Sequence, residues 1–130
     1  MIEILIVTLG KHGESLLDAT ERIIGRSNHV HSLTVDWNES LDAMKKRLDE
    51  KLDGINQSEG VILLTDVFGS TATNISLAKA APGKLDVVTG VNLPMIIKAS
   101  TLEDGISLKN AAEVLRNQGR KAISIVGEML

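Results

Sequence analysis

Ile4-Leu5-Ile6-Val7-Thr8-Leu9-Gly10-Lys11-His12-Gly13 is the stretch on which the reading of the chain turns. Its apolar half is nearly continuous, which suits a strand, Ile2 to Leu9, buried on both faces of a parallel sheet. A helix is expected from Ser15 to about Arg26, with Leu16, Leu17, Ala19, Thr20, Ile23 and Ile24 on one face and Gly25 near its end. His12 therefore falls where a buried strand gives way to a helix. In an open α/β sheet, loops at the carboxyl ends of the strands form the ligand crevice. A histidine there can meet a partner, attack as a nucleophile or bind a metal. Taken alone, it is as readily a surface loop residue with no chemistry.

A second stretch repeats the grammar: Leu63-Leu64-Thr65-Asp66-Val67-Phe68-Gly69-Ser70-Thr71-Ala72-Thr73-Asn74. An apolar strand, Val61 to Thr65, runs into a polar turn with glycine, and a helix follows from Ala72 to Ala81. Asp66 closes the strand, and Ser70 and Thr71 offer hydroxyls where a helix cap is expected. If the two strands are neighbours, Asp66 and His12 share one edge of the sheet. A carboxylate can then hold the proton on one imidazole nitrogen and leave the other free to attack. A nearby helix start would present N–H groups to an anion. Nucleophile, orienter and anion cradle together describe phosphoryl transfer to histidine, with Gly69, Ser70 and Thr71 as the candidate phosphate-binding residues.

The rest of the chain fits the same plan. Val30 to Asp36 alternates as an edge strand does. Trp37 is expected to be partly buried packing. His29 and His31, with no third ligand nearby, read as solvated and not as a metal site. Leu41, Met44, Leu48, Leu52 and Ile55 recur at helical spacing between about Asn38 and Asn56. Leu85 to Thr89 is a fourth strand with Gly90-Val91-Asn92-Leu93-Pro94 as its exit loop. Pro94 can open a short helix to about Ala99. Leu102 to Ile106 is a linker. Ser107 caps a helix ending near Gln118, where Gly119 stops it. Ala122 to Val126 reads as a fifth, apolar strand. Alternating βα units of this length imply α/β architecture with a parallel sheet and right-handed crossovers.

Composition bounds the function. A chain of 130 residues fits one domain, 1–130, with a core that needs no staples. Without cysteine there is neither a disulfide nor a thiolate metal site. A net charge of −3 without a basic stripe argues against nucleic acid, as does having Trp37 and Phe68 as the only aromatics. No Gly-Lys-Ser/Thr loop suggests a nucleotide donor, and no acidic cluster suggests magnesium. The opening apolar run is too short to span a membrane and has no cationic start, so a soluble cytoplasmic protein is expected. No cofactor or metal is expected either. Phe68 falls in a polar turn, where it either serves docking or tucks under its own loop.

With these residues in view, the chain resembles the EIIA component of the mannose family of the bacterial sugar phosphotransferase system. The likeness rests on Gly10 to Gly13 around His12, on Asp66-Val67-Phe68-Gly69 through Asn74, and on Gly90-Val91-Asn92-Leu93-Pro94-Met95. It runs over nearly the full length. The family commonly has Gly-Gly-Ser/Thr-Pro in its second loop, whereas this chain has Gly69-Ser70-Thr71-Ala72. The resemblance implies that His12 takes a phosphoryl group from the phosphocarrier HPr and passes it to an EIIB partner, with Asp66 in support. Phe68 and Asn92 become candidates for partner docking. It also implies contact with the membrane only through an EIIC/EIID transporter. The last strand would pair antiparallel at the sheet edge, exchanged between the subunits of a homodimer, with Gly119-Arg120-Lys121 as hinge. No fused EIIB portion is expected after it. Two other readings stay open: a regulatory module whose phosphorylation state controls target binding, and transfer to a non-sugar acceptor such as a dihydroxyacetone kinase.

Overall fold

The computed structural model describes residues 1–130. Four strands, β1 (Glu3–Leu9), β2 (Val30–Val35), β3 (Val61–Thr65) and β4 (Leu85–Val88), form one parallel sheet in the order β2-β1-β3-β4. Five helices alternate with them or follow: α1 (His12–Ile24), α2 (Leu41–Asp53), α3 (Thr71–Leu77), α4 (Leu93–Ser100) and α5 (Leu108–Lys121).

Alternation along the strands sends successive side chains to opposite faces. Ile4, Ile6, Ile62 and Leu64 meet Met95, Ile96, Ala111 and Leu115 under α4 and α5. Leu5, Val7 and Leu63 meet Met44, Leu48, Leu52 and Ile75 under α2 and α3. Both central strands are therefore apolar along most of their length, as strands covered on both sides must be, with Thr8 and Thr65 near their ends. The strand order reverses between the parallel strands β1 and β3: the chain leaves β1 for β2 on one side of that seam and β3 for β4 on the other. Such a switch point opens a crevice at the carboxyl ends of the strands. The loops that leave β1 and β3 carry His12 and Asp66.

Four helices have a side-chain cap of the usual kind: Ser40, Ser70, Asn92 and Ser107 each accept from the backbone N–H three residues on. The fifth, α1, has Lys11 at that position and no side-chain cap bond.

Several sequence expectations need correction. Helix α1 starts at His12, not Ser15, and Ile23 and Ile24 on its expected inner face are exposed. Trp37 is not packed inside: it is 74% exposed. Helix α3 ends at Leu77, short of Ala81. Gly119 does not stop α5, which continues to Lys121. That glycine is buried because α5 crosses Met95 so closely that a Cβ there would lie 2.7 Å from its side chain. The expected hinge at residues 119–121 is thus helical. Ala122 to Val126 does not join the sheet, and Val126–Met129 forms a single 3-10 turn. A strand needs a ladder partner, and no strand of this chain pairs with that segment. Its Ile123, Ile125, Val126, Met129 and Leu130 stay exposed.

Candidate functional site

His12 is held in place by a threonine inside the neighbouring strand. Thr8 is fully buried near the end of β1. Its Oγ1 donates to the Gly10 carbonyl at 2.8 Å and accepts from the Gly13 N–H at 3.1 Å. It thereby does for α1 what the missing N-cap side chain would do. Gly13 must be a glycine for this, since a Cβ would lie 2.7 Å from the Thr8 side chain. Gly10 turns the chain with φ +99°, a conformation other residues resist. Its N–H reaches across to the Val35 carbonyl at 2.9 Å. His12 becomes the first residue of α1, at the positive end of the helix dipole.

Asp66 is held just as firmly. Oδ2 accepts from the Leu9 N–H at 3.0 Å, and Oδ1 accepts from the Val67 N–H at 2.9 Å and from the Ser70 hydroxyl. The carboxylate therefore clips the end of β3 to the end of β1 across the switch point. The Asp66 carbonyl accepts from the Gly90 N–H, and the Thr65 carbonyl from the Val91 N–H, so the third loop braces the second. Beneath, Thr73 Oγ1 lies 2.9 Å from Thr65 Oγ1 and 2.8 Å from the Val67 carbonyl.

The two anchored groups face one another. His12 Nε2 lies 3.6 Å from Asp66 Oδ2, with the histidine side chain 53% exposed and the aspartate 13%. That is an electrostatic approach slightly longer than a hydrogen bond, of the kind that tightens when a reactant binds. The imidazole can turn its other nitrogen to a reactant in solution.

The remaining candidates divide. The Ser70 hydroxyl is committed to Asp66 and accepts from the Thr73 N–H, so it orients the carboxylate instead of waiting for a phosphate. Thr71, the first residue of α3, is half-buried and its hydroxyl has no protein partner. Gly69 lies exposed in the loop with φ +93°. Phe68 is 75% exposed and Val67 stands beside it, also exposed. Asn92 is a cap: its Oδ1 accepts from the Met95 N–H and its Nδ2 donates to the Gly119 carbonyl, so we do not read it as a docking residue. His29 and His31 are not simply solvated. His29 Nε2 contacts the Ala99 carbonyl at 2.8 Å, and His31 Nε2 lies 3.3 Å from Glu3 Oε2. Thr8 and the Thr65–Thr73 pair escaped the sequence reading. The one signal for Thr8 is a hydroxyl residue inside an otherwise aliphatic strand.

Fold and site together define an open α/β domain that carries a histidine–carboxylate pair at its topological switch point. Residues 3–115 match the family described as PTS system fructose IIA component, and the chain belongs to this mannose-type EIIA family of the sugar phosphotransferase system, whose members are phosphotransfer proteins. It is 24% identical over 131 residues to the PTS system fructose-specific EIIA component of Bacillus subtilis (strain 168), covering all of this chain and 90% of that protein. The fold resembles the phosphotransferase system component EIIA from Streptococcus agalactiae, with TM-score 0.87, 22% identity, and 98% and 99% of the two chains covered. It also resembles the mannose/sorbose-specific IIA subunit from Enterococcus faecalis, with TM-score 0.84, 22% identity, and 95% and 92% covered. No helix is long and apolar enough to cross a membrane.

Proposed function

We propose that residues 1–130 act as a cytoplasmic phosphocarrier domain in which His12 accepts a phosphoryl group from phospho-HPr and gives it to an EIIB partner for sugar uptake. The observation that carries this reading is the approach of His12 Nε2 to the hydrogen-bonded Asp66 carboxylate, 3.6 Å away at the switch point. Asp66 holds the proton on the ring nitrogen it faces, leaving a lone pair on the other. That lone pair attacks phosphorus in line. The P–N bond of the donor breaks, its electron pair returns to the donor imidazole, and a new P–N bond forms on His12. Transfer to EIIB runs the same exchange with His12 as the leaving group. Such transfer needs positioning and charge stabilisation more than covalent machinery. In the first turn of α1 the Gly13 N–H is taken by Thr8, but the N–H groups of His12 and Glu14, with the unpaired Thr71 hydroxyl, are suited to the phosphoryl oxygens. The test is uptake of label from phosphoenolpyruvate in the presence of enzyme I and HPr, followed by its release to EIIB. Uptake of one acid-labile phosphate per chain is expected, and none would refute the reading.

Phe68 is the proposed anchor for HPr. An aromatic ring left 75% exposed one loop away from the reacting histidine packs nothing of its own chain tightly. Exposed aromatics commonly carry a large share of interface energy. Phe68→Ala should weaken HPr binding about tenfold or more, measured by calorimetry, while thermal stability hardly moves. Unchanged affinity would remove Phe68 from the interface.

The tail is proposed to hold a homodimer. Beyond a single bridge from Ala81 to Leu85, no strand pairs with the outer edge of β4, and an unpaired edge invites pairing. Beside it lies a groove of about 530 Å³ between β4 and α5, lined by Val88, Met95, Ala112, Arg116 and Ile123 among others. Residues 123–130 of one chain, which expose Ile123, Ile125, Val126, Met129 and Leu130, lie antiparallel along β4 of the other in this reading, closing both edges by two-fold symmetry. Light scattering at micromolar concentration should give a dimer mass that becomes monomeric on deletion of residues 123–130. A monomeric mass for the full chain would exclude the exchange.

A further inference from the structure

Every helix with a side-chain cap uses serine except one. Ser40, Ser70 and Ser107 cap α2, α3 and α5, whereas α4 has Asn92. Serine and asparagine cap about equally well, so capping alone does not require the amide. What the amide adds is a second group. Its Oδ1 accepts from the Met95 N–H at 3.1 Å, and its Nδ2 donates to the Gly119 carbonyl at 3.2 Å. That carbonyl is among the last four of α5, which a helix leaves without partners of its own. Gly119 makes the approach possible: a Cβ there would lie 2.7 Å from the Met95 side chain and 3.5 Å from Asn92 Nδ2. The half-buried Asn92 thus fastens the start of α4 to the end of α5.

The residues just before it are fastened to the site. The Gly90 N–H donates to the Asp66 carbonyl at 2.6 Å, and the Val91 N–H donates to the Thr65 carbonyl at 2.9 Å. These two bonds carry the pairing of β3 with β4 past Leu64 and Val88, up to the residue whose carboxylate faces His12. No free residue separates Val91 from Asn92. The backbone of Asp66 is therefore held, through one short loop, by the carboxyl end of α5.

We infer that Asn92 is a positioning residue for Asp66, acting through Gly90 and Val91. This rests on His12 being the phosphoryl acceptor with Asp66 in support. Asp66 Oδ2 stands 3.6 Å from His12 Nε2, so a small displacement of the loop changes that support directly. Misplacement by about 1 Å can cost about 10²-fold in rate. Here the Asp66 bonds to the Leu9 and Val67 N–H groups remain, so losing the Asn92 anchor should cost less, about tenfold.

Asn92→Ser keeps the cap and removes the donor to Gly119. Asn92→Asp keeps the cap and turns an oxygen toward that carbonyl. Transfer from phospho-HPr is measured for both, each in the wild-type and the Asp66→Asn background. Circular dichroism checks the fold, and hydrogen exchange follows the loop amides. Both variants should transfer about tenfold more slowly at saturating phospho-HPr, with KM unchanged and faster exchange at Gly90 and Val91. In the Asp66→Asn background the same substitutions should add less than about twofold, because the group they position is already gone. A wild-type rate in either folded variant would overturn the inference. So would a raised KM with kcat unchanged, which marks a partner contact, or an equal tenfold loss in both backgrounds, which marks general loosening. Unfolding of both variants would make Asn92 a stability residue and overturn it too. If Asp66→Asn alone transfers at the wild-type rate, there is nothing to position; the inference fails while the phosphocarrier reading stands. If the wild-type protein takes up no phosphate, that reading fails and this one with it.

Discussion

Replacing His12 by alanine should abolish phosphoryl uptake, lowering the rate at least about 10³-fold, the scale on which an enzyme loses its nucleophile. No second group is placed to substitute. His29 begins the approach to β2, at the opposite end of the parallel strands, and is in contact with the Ala99 carbonyl. His31 lies within β2 beside Glu3. Asp66 is near the reacting position, but its oxygens already accept three hydrogen bonds. A carboxylate that did accept phosphate would give an acyl phosphate cleaved by hydroxylamine, which distinguishes it chemically from phosphohistidine. The histidine is half-exposed, so the variant should keep its stability to within about 0.5 kcal/mol. Labelled phosphoenolpyruvate with enzyme I and HPr checks this, with His29→Ala and His31→Ala retaining full uptake. Acid-labile phosphate on His12→Ala at the wild-type level would show that the phosphoryl group resides elsewhere.

The elements that place His12 and Asp66 could be read from sequence because each lies at an abrupt change of pattern. Ile4–Val7 and Val61–Leu64 are aliphatic runs broken by glycine and polar residues, and such breaks are local. What could not be read depends on contacts between distant segments. The cap of α1 comes from Thr8 in the preceding strand and not from a residue at the helix start, so the helix begins three residues before the sequence suggests. Gly119 carries the usual sign of a helix end, yet it is a glycine because Met95 passes against it. Trp37 is large and apolar, which favours burial, but the turn from Asp36 to Glu39 holds it outward. The sheet order β2-β1-β3-β4 leaves no trace in the hydrophobic period, although it is what makes the two loops neighbours. The tail residues 122–126 have a strand's composition and no partner strand in their own chain.

Asp66→Asn should slow phosphoryl transfer about 10²-fold and also lower stability, because the carboxylate has two tasks. The first is electrostatic. An amide cannot offset the positive charge that builds on the imidazole as its lone pair is shared with phosphorus, nor favour the same tautomer. The second is structural. Both carboxylate oxygens accept from donors that cannot all reverse: the N–H groups of Leu9 and Val67 are fixed, and only the Ser70 hydroxyl can rotate. An asparagine must point its own NH₂ at one of those two N–H groups. Leaving such a donor unpaired costs about 1–3 kcal/mol. For a domain of this size that corresponds to a fall in melting temperature of roughly 5–10 °C. Rotating Ser70 to accept instead would weaken its hold on the Thr73 N–H, so α3 would share the loss. The two tasks separate when transfer is measured in single turnovers at a temperature where both proteins are fully folded by circular dichroism. A slowed rate there belongs to the charge. Equal rates with a lowered melting temperature would make Asp66 a clip between β3 and β1 and nothing more. A Ser70→Ala variant completes the comparison: it removes one donor to the carboxylate and the cap of α3 while leaving the charge in place. It should therefore lose stability of about 1 kcal/mol and keep most of the transfer rate.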